Sequence, residues 1–119
     1  MSDSTGLSEN KRAETVNQKM AAYHRGVVDE VATTVARDKV VVVGMAQNPF
    51  VRKARALLAS KGVKFTYLEY GSYFSQWKPR LAIKIWAGFP TFPMVFIDGM
   101  LVGGYTDVVA LAEADKLPK

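Results

Sequence analysis

Val40-Val41-Val42-Val43-Gly44-Met45-Ala46-Gln47-Asn48-Pro49-Phe50-Val51-Arg52-Lys53-Ala54-Arg55-Ala56-Leu57-Leu58 is the stretch whose reading decides the fold. Four β-branched residues in a row describe a buried strand, closed by a short turn containing Gly44. Asn48 then stands where a helix N-cap is wanted, with Pro49 at the first helical position. Phe50, Val51, Ala54, Leu57 and Leu58 follow at the spacing of one helix face. The chain therefore runs strand, sharp turn, helix, and the free N–H groups of that helix point at whatever lies over Asn48. Such a terminus favours anions, and it is also a place where a cysteine thiolate would be stabilised.

At 119 residues the chain is long enough for one core and too short for two. With 49% apolar and 23% charged residues, its composition is that of an ordinary soluble globular domain. It contains no cysteine, which removes disulfides, thiolate metal ligation and thiol catalysis together. The polar N-terminus has no apolar signal core and no apolar run reaches membrane-spanning length, so the expected location is the cytoplasm, away from membranes. A formal net charge of +5 suits acidic small ligands or partners without naming one.

Outward from the central stretch, Met1 to about Leu7 is polar and reads as frayed. Ser8 is a plausible N-cap, and Val16, Met20, Tyr23, Val27, Val31 and Val35 recur at helical steps, with Gly26 as a candidate break. His24 falls off that stripe with no second metal ligand nearby, so it reads as solvated and no metal site is expected. The helix over 49–60 stops at Lys61-Gly62, and Val63-Lys64-Phe65-Thr66-Tyr67 alternates as a second strand, parallel to the first. Trp77, Leu81 and Ile85 repeat at four-residue steps, joined by Ala82 and Trp86, in a helix ended by Gly88. Phe89-Pro90-Thr91-Phe92-Pro93 forbids helix and leads into a strand at Met94–Ile97. Asp98-Gly99 predicts a hairpin returning through Met100-Leu101-Val102, and Thr106 or Tyr105 caps a last helix through Ala114. The order αβαβαββα, a parallel pair followed by a hairpin, describes an α/β (α+β) four-stranded mixed sheet flanked by helices.

Asn48-Pro49-Phe50-Val51 with Arg52-Lys53-Ala54 resembles the Cys-Pro-Tyr-Cys-x-x-Ala of the glutaredoxins, in register after the first core strand. The resemblance runs from about Asp29 to Ala114 and implies the thioredoxin fold in its glutaredoxin form. It divides the chain into an N-terminal extension over 1–27, frayed then helical, and a glutaredoxin-like domain over 28–119. Thr91-Phe92-Pro93 is similar to the family's Thr-x-Pro, whose proline is cis and whose preceding residue offers its backbone to the cysteinyl part of glutathione. Asp98-Gly99 with Gly103-Gly104 resembles the family hairpin and its Gly-Gly, and Thr106-Asp107 matches the pair that holds the γ-glutamyl end. The stretch from Arg80 to Thr91 is similar to the monothiol branch, where an arginine at the Arg80 position helps hold the glycyl carboxylate. Met45 stands where the family carries a lysine, three residues before the thiol position. By resemblance the ligand-binding set is Arg80, Thr91, Phe92, Pro93, Gly104, Thr106 and Asp107.

Both family cysteine positions are occupied by other residues, Asn48 for the nucleophile and Val51 for the resolving thiol. Disulfide exchange needs a thiolate, and so does cluster binding of the monothiol kind. No catalytic residue is therefore assigned. Ser60, Ser72 and Ser75 have no paired base in sequence context, and His24 lies far along the chain. The sequence leads to a redox-inactive module that holds glutathione or a small anionic peptide-like ligand and requires no cofactor. Its chemistry fits, because an arginine can take one carboxylate, a helix N-terminus the other, and an extended edge at Phe92 the peptide middle.

The alternative is a protein-interaction module, favoured by the extra helix and by Tyr67, Tyr70, Tyr73, Phe74 and Trp77, aromatics that would otherwise pack a second core layer. A residual glutathione-dependent enzyme is a third reading. Nucleic-acid binding through Arg52-Lys53-Arg55 and Lys78-Arg80-Lys84 is not expected, since these charges fall opposite apolar stripes, where solvated side chains belong. Each site residue also has a plain structural reading: Asn48 as a cap, Arg80 as a solvated charge, Pro93 as turn geometry, Thr106-Asp107 as a cap with a dipole-favourable acid.

Overall fold

The computed structural model describes residues 25–73 and 75–118. Helix α1 covers 25–37 of these, followed by β1 (Val40–Gly44), α2 (Pro49–Ser60), β2 (Thr66–Glu69), α3 (Trp77–Ala87), β3 (Met94–Ile97), β4 (Met100–Gly103) and α4 (Tyr105–Glu113). The strands form one sheet in the order β2-β1-β3-β4, with β1 parallel to β2 and antiparallel to β3. This is the thioredoxin fold expected from the sequence.

The valine run explains itself in the sheet. Val40 to Val43 are at most 2% exposed, because β1 is a central strand covered on both faces. Val41 and Val43 point into a cluster with Val31 and Val35 of α1, Ile83 of α3, Met94 and Phe96. Val40 and Val42 point the other way, onto Leu58 of α2 and Val108 of α4. A strand buried on both sides has no reason to alternate, and each valine contributes about 1.5–3 kcal/mol by leaving water. Gly44 ends the run where α2 crosses closest: a Cβ there would lie 2.6 Å from a Val51 methyl carbon.

α2 begins and ends where the sequence placed it, with Asn48 as N-cap and Lys61-Gly62 at its end. Its buried residues are Val51, Ala54 and Leu58. Phe50, expected on the same face, is 51% exposed and turns instead towards the start of α4. β2 starts later than the alternation predicted. Val63 donates its N–H to the Leu58 carbonyl at 3.0 Å and is buried beside it, so it belongs to the exit of α2 and pairing begins at Thr66. The Asp98-Gly99 hairpin forms as expected: both residues take positive φ, 51° and 81°, as a two-residue connection of this twist requires.

α3 presents the opposite face to the one predicted. Pro79, Arg80 and Ile83 are buried, whereas Trp77, Leu81 and Ile85 are 58%, 47% and 73% exposed. The four-residue repeat lies on the outer face of the helix. α4 is capped by Gly104 and not by Thr106 or Tyr105, and it ends at Glu113. The helical path over 25–37 is unbroken at Gly26 and across the 27/28 boundary. The expectations for Met1–Leu7, Ser8, Val16, Met20, Tyr23, His24 and the side chain of Phe74 lie outside the described residues. No described helix is long and apolar enough to cross a membrane.

Candidate functional site

Two helices, α2 and α4, direct their amino ends at one groove, and the loop before β3 forms its wall. The groove has a volume of about 550 Å³. It gathers Asn48, Thr91, Phe92, Pro93, Gly104, Thr106 and Asp107, residues separated by up to 59 positions in sequence. Thr91 is exposed, Phe92 and Pro93 are buried beneath it, and the Phe92–Pro93 peptide is cis.

The two helix ends differ. At α2, Asn48 Oδ1 accepts from the N–H groups of Phe50 and Val51 at 2.9 and 3.1 Å. The donors that a thiolate or a ligand anion could have used are satisfied by the protein's own side chain. At α4, Gly104 has no side chain to offer, and the side-chain hydrogen bond there runs backwards, from the Gly104 N–H to Asp107 Oδ2 at 2.9 Å. The first-turn amides of α4 precede any helical carbonyl within reach, and they leave the positive end of the helix facing the groove. The start of α4 thus lacks the neutral side-chain cap that closes α2, and carries the Asp107 carboxylate in its first turn.

Arg80 is not among the groove's lining residues. It is 7% exposed, and its Nη1 donates to the carbonyls of Tyr70 at 2.9 Å and Ser75 at 2.6 Å. Burial lowers its pKa from the ordinary value, and the charge is held by backbone dipoles. This guanidinium pins the loop between β2 and α3, a structural post that the sequence reading did not assign to Arg80. Gly71 lies against it with φ 70°, and a Cβ there would come 2.5 Å from the Ser75 carbonyl oxygen. The same loop is tied to the exit of β1 by Ala46 N–H to Gly71 O and Tyr70 N–H to Gly44 O. Tyr70 also donates its hydroxyl to Glu30 of α1, and burial, with that carboxylate, raises its pKa.

The cation that does line the groove is Lys84, one turn beyond Arg80, with Nζ 5.6 Å from the centre of the Phe92 ring. Sequence reasoning took it for a solvated charge. Its signal was its place in the last turn of α3, leading directly into the Thr91-Phe92-Pro93 segment. Phe50, Tyr73 and Tyr105 were likewise unassigned and line the groove, the rings of Phe50 and Tyr105 lying 6.3 Å apart at 41°. Met45, at the family's lysine position, is buried in the core and reaches the groove floor. Of the expected aromatic run, Tyr70 is core and Tyr67 half-buried, while Tyr73 and Trp77 are each 58% exposed. The Arg55 guanidinium lies 3.8 Å over the Tyr67 ring, and burial with the Glu69 hydrogen bond pushes that phenol up to about 12. Among the described residues, no group of three or more His, Cys, Asp or Glu could hold a metal ion.

Fold and site together define a thioredoxin-fold domain with a groove at the amino ends of two helices and no thiol in it. The glutaredoxin family pattern matches residues 40–102, more than half of the chain. A glutaredoxin-like protein of Dictyostelium discoideum is 50% identical over 99 residues, covering 83% of this chain and 80% of its own. Glutaredoxin-C6 of Oryza sativa subsp. japonica is 33% identical over 84 residues, 71% of this chain and 75% of its own. The chain belongs to the glutaredoxin family. Among solved structures, oxidized glutaredoxin 2 from Chlamydomonas reinhardtii superposes with a TM-score of 0.68 at 27% identity, covering 79% of this chain and 89% of its own. A buckwheat glutaredoxin–glutathione complex shares the fold, with a TM-score of 0.67 at 21% identity over 79% of this chain and 86% of its own.

Proposed function

We propose that this chain is a glutaredoxin-family binding module that holds glutathione or a related γ-glutamyl peptide and performs no thiol–disulfide chemistry. One observation carries the reading: Lys84, the amino end of α4 and the cis Phe92–Pro93 segment line the same groove. Glutathione carries a carboxylate at each end of a peptide-like middle, so it needs a cation, a set of N–H donors and an extended backbone edge. Lys84 takes the carboxylate role that the sequence had given Arg80. The first turn of α4 takes the other carboxylate, and the backbone at Phe92 pairs with the peptide. A family member of the same fold is known as a glutathione complex.

The absence of cysteine supports the lack of exchange chemistry, because attack on a disulfide requires a thiolate. No cofactor is needed, and we place the protein in the cytoplasm, where glutathione is the prevailing thiol. Without a covalent link or a lysine at position 45, affinity should be on the order of millimolar. The test is an amide-resolved titration with reduced glutathione, in which shifts gather at Asn48–Val51, Thr91–Pro93 and Gly104–Asp107. Absence of shifts at tens of millimolar ligand (about tenfold above that affinity) overturns the reading. A protein-interaction module is the second reading, and the row Trp77, Leu81 and Ile85 on the open face of α3 favours it.

A further inference from the structure

The point in the groove where a family member would hold its nucleophilic sulfur is closed to sulfur here. The Phe50 and Val51 N–H groups that would steady a thiolate are bound to Asn48 Oδ1. No cysteine exists to form a mixed disulfide. A free thiol on a bound ligand meets neither a covalent partner nor an open donor at α2. The groove also offers apolar surface. Phe50 is 51% exposed and Tyr73 58% exposed, both line the groove, and Tyr105 stands beside the Phe50 ring. Met45 lines the groove as well. Lys53 lies 5.4 Å from the centre of the Phe50 ring. Two exposed aromatic side chains in a concave, charged-ended groove of about 550 Å³ leave apolar surface that a small thiol cannot cover.

We propose that the groove is selective for glutathione-type peptides whose sulfur already carries an apolar substituent as a thioether, over the same peptides with a free thiol. The substituent lies across Phe50 and Tyr73 while the carboxylates keep the ends at Lys84 and α4. No bond forms or breaks, and the protein acts as a holder of S-conjugates. The inference rests on the glutathione-type reading of the groove given above. Each methylene brought against the rings adds to affinity, so a six-carbon chain lying partly on them raises it by about tenfold or more.

The test titrates the full chain in parallel with reduced glutathione, S-methylglutathione and S-hexylglutathione, followed by amide shifts. The expected order is S-hexyl tightest by about tenfold or more over the free thiol, with S-methyl between. Shifts should appear at Asn48–Val51 and Gly104–Asp107, and Phe50→Ala should bring the hexyl-to-thiol ratio close to one. If reduced glutathione shifts Gly104–Asp107 but the hexyl ligand binds no better, the thioether preference falls and the glutathione reading stands. If no ligand shifts these residues, both fall. If the hexyl ligand shifts Trp77–Ile85 and leaves the groove unchanged, its affinity comes from the exposed face of α3, and the proposal is overturned.

Discussion

The Arg80 guanidinium donates to the Tyr70 carbonyl at 2.9 Å, from a position that is 7% exposed. A second bond from the same nitrogen reaches the Ser75 carbonyl at 2.6 Å. Together they hold the loop that leads from β2 into α3, and that loop carries Tyr73 to the groove. Arg80→Ala leaves two backbone acceptors without their donor in a site largely closed to water. The expected loss is about 2–3 kcal/mol of stability, read as a lower urea midpoint with an unchanged slope. Lys84→Ala should behave in the opposite way, with stability changed by less than about 0.5 kcal/mol but glutathione binding weakened and its salt dependence reduced. Equal stability losses in the two variants would contradict this division of roles.

The reversal of α3 shows where sequence reading loses its hold. Apolar residues at four-residue steps mark a helix correctly but do not say which face meets the sheet. Trp77, Leu81 and Ile85 look like a core stripe, and a charged Arg80 looks like surface, because hydropathy counts the charge and not its partners. Here two loop carbonyls, distant in the pattern and unreadable from it, make burial of the guanidinium tolerable. Lys84 was hidden for the same reason. By contrast β1, α2, the Asp98-Gly99 hairpin and the cis Phe92–Pro93 were legible, since each depends on local chemistry: β-branching, a cap with proline, a positive-φ turn and a family motif. Six of the seven ligand-binding residues expected from the family motifs line one groove for that reason.

The amino end of α4 depends on a glycine that is not the cap. Gly103 has φ 126°, and a Cβ on it would lie 2.1 Å from Asp107 Oδ2. Gly103→Ala therefore pushes the Asp107 carboxylate off the Gly104 N–H and strains the backbone at once. More than about 1 kcal/mol of stability should be lost. Amide shifts at Gly104–Asp107 in the free protein would report the displaced carboxylate. A fully stable variant with unshifted amides would show that this contact does not hold the helix start.

Asp38 provides a pH-dependent link between the end of α1 and the start of β2. Its carboxylate accepts from the Arg37 guanidinium and, at 2.8 Å, from the Thr66 hydroxyl, and these bonds hold it at about 2, against an ordinary 3.8. The folded state thus favours the ionised form. The associated stability is fully present above the ordinary value and is lost as pH falls towards the folded one. Thr66→Val should move the carboxyl pKa upwards and flatten the stability profile across that acid window, as measured by carboxyl chemical shifts and urea midpoints. A wild-type Asp38 titrating at its ordinary value would remove the link.

Asn48 joins the stability of α2 to the missing chemistry, and two substitutions separate them. Asn48→Ala removes the oxygen that accepts from Phe50 and Val51, and the helix should lose about 1 kcal/mol, whereas Asn48→Asp should be nearly neutral. Asn48→Cys goes further. It frees both N–H groups and places a sulfur over the positive end of the helix, where a thiolate is favoured. The introduced thiol should titrate well below an unperturbed cysteine, at about 7 or lower. Val51 is 1% exposed and packs against Gly44, so a second thiol there would be buried, and the single substitution is the cleaner probe. With Lys84, the Phe92–Pro93 segment and α4 already in the groove, the Asn48→Cys protein should reduce a glutathione mixed disulfide, while the unaltered chain does not. A folded Asn48→Cys protein with a depressed thiol pKa but no turnover would mean that the groove no longer orients glutathione against position 48. Turnover by the unaltered chain above a no-protein control would contradict the requirement for a protein thiolate itself.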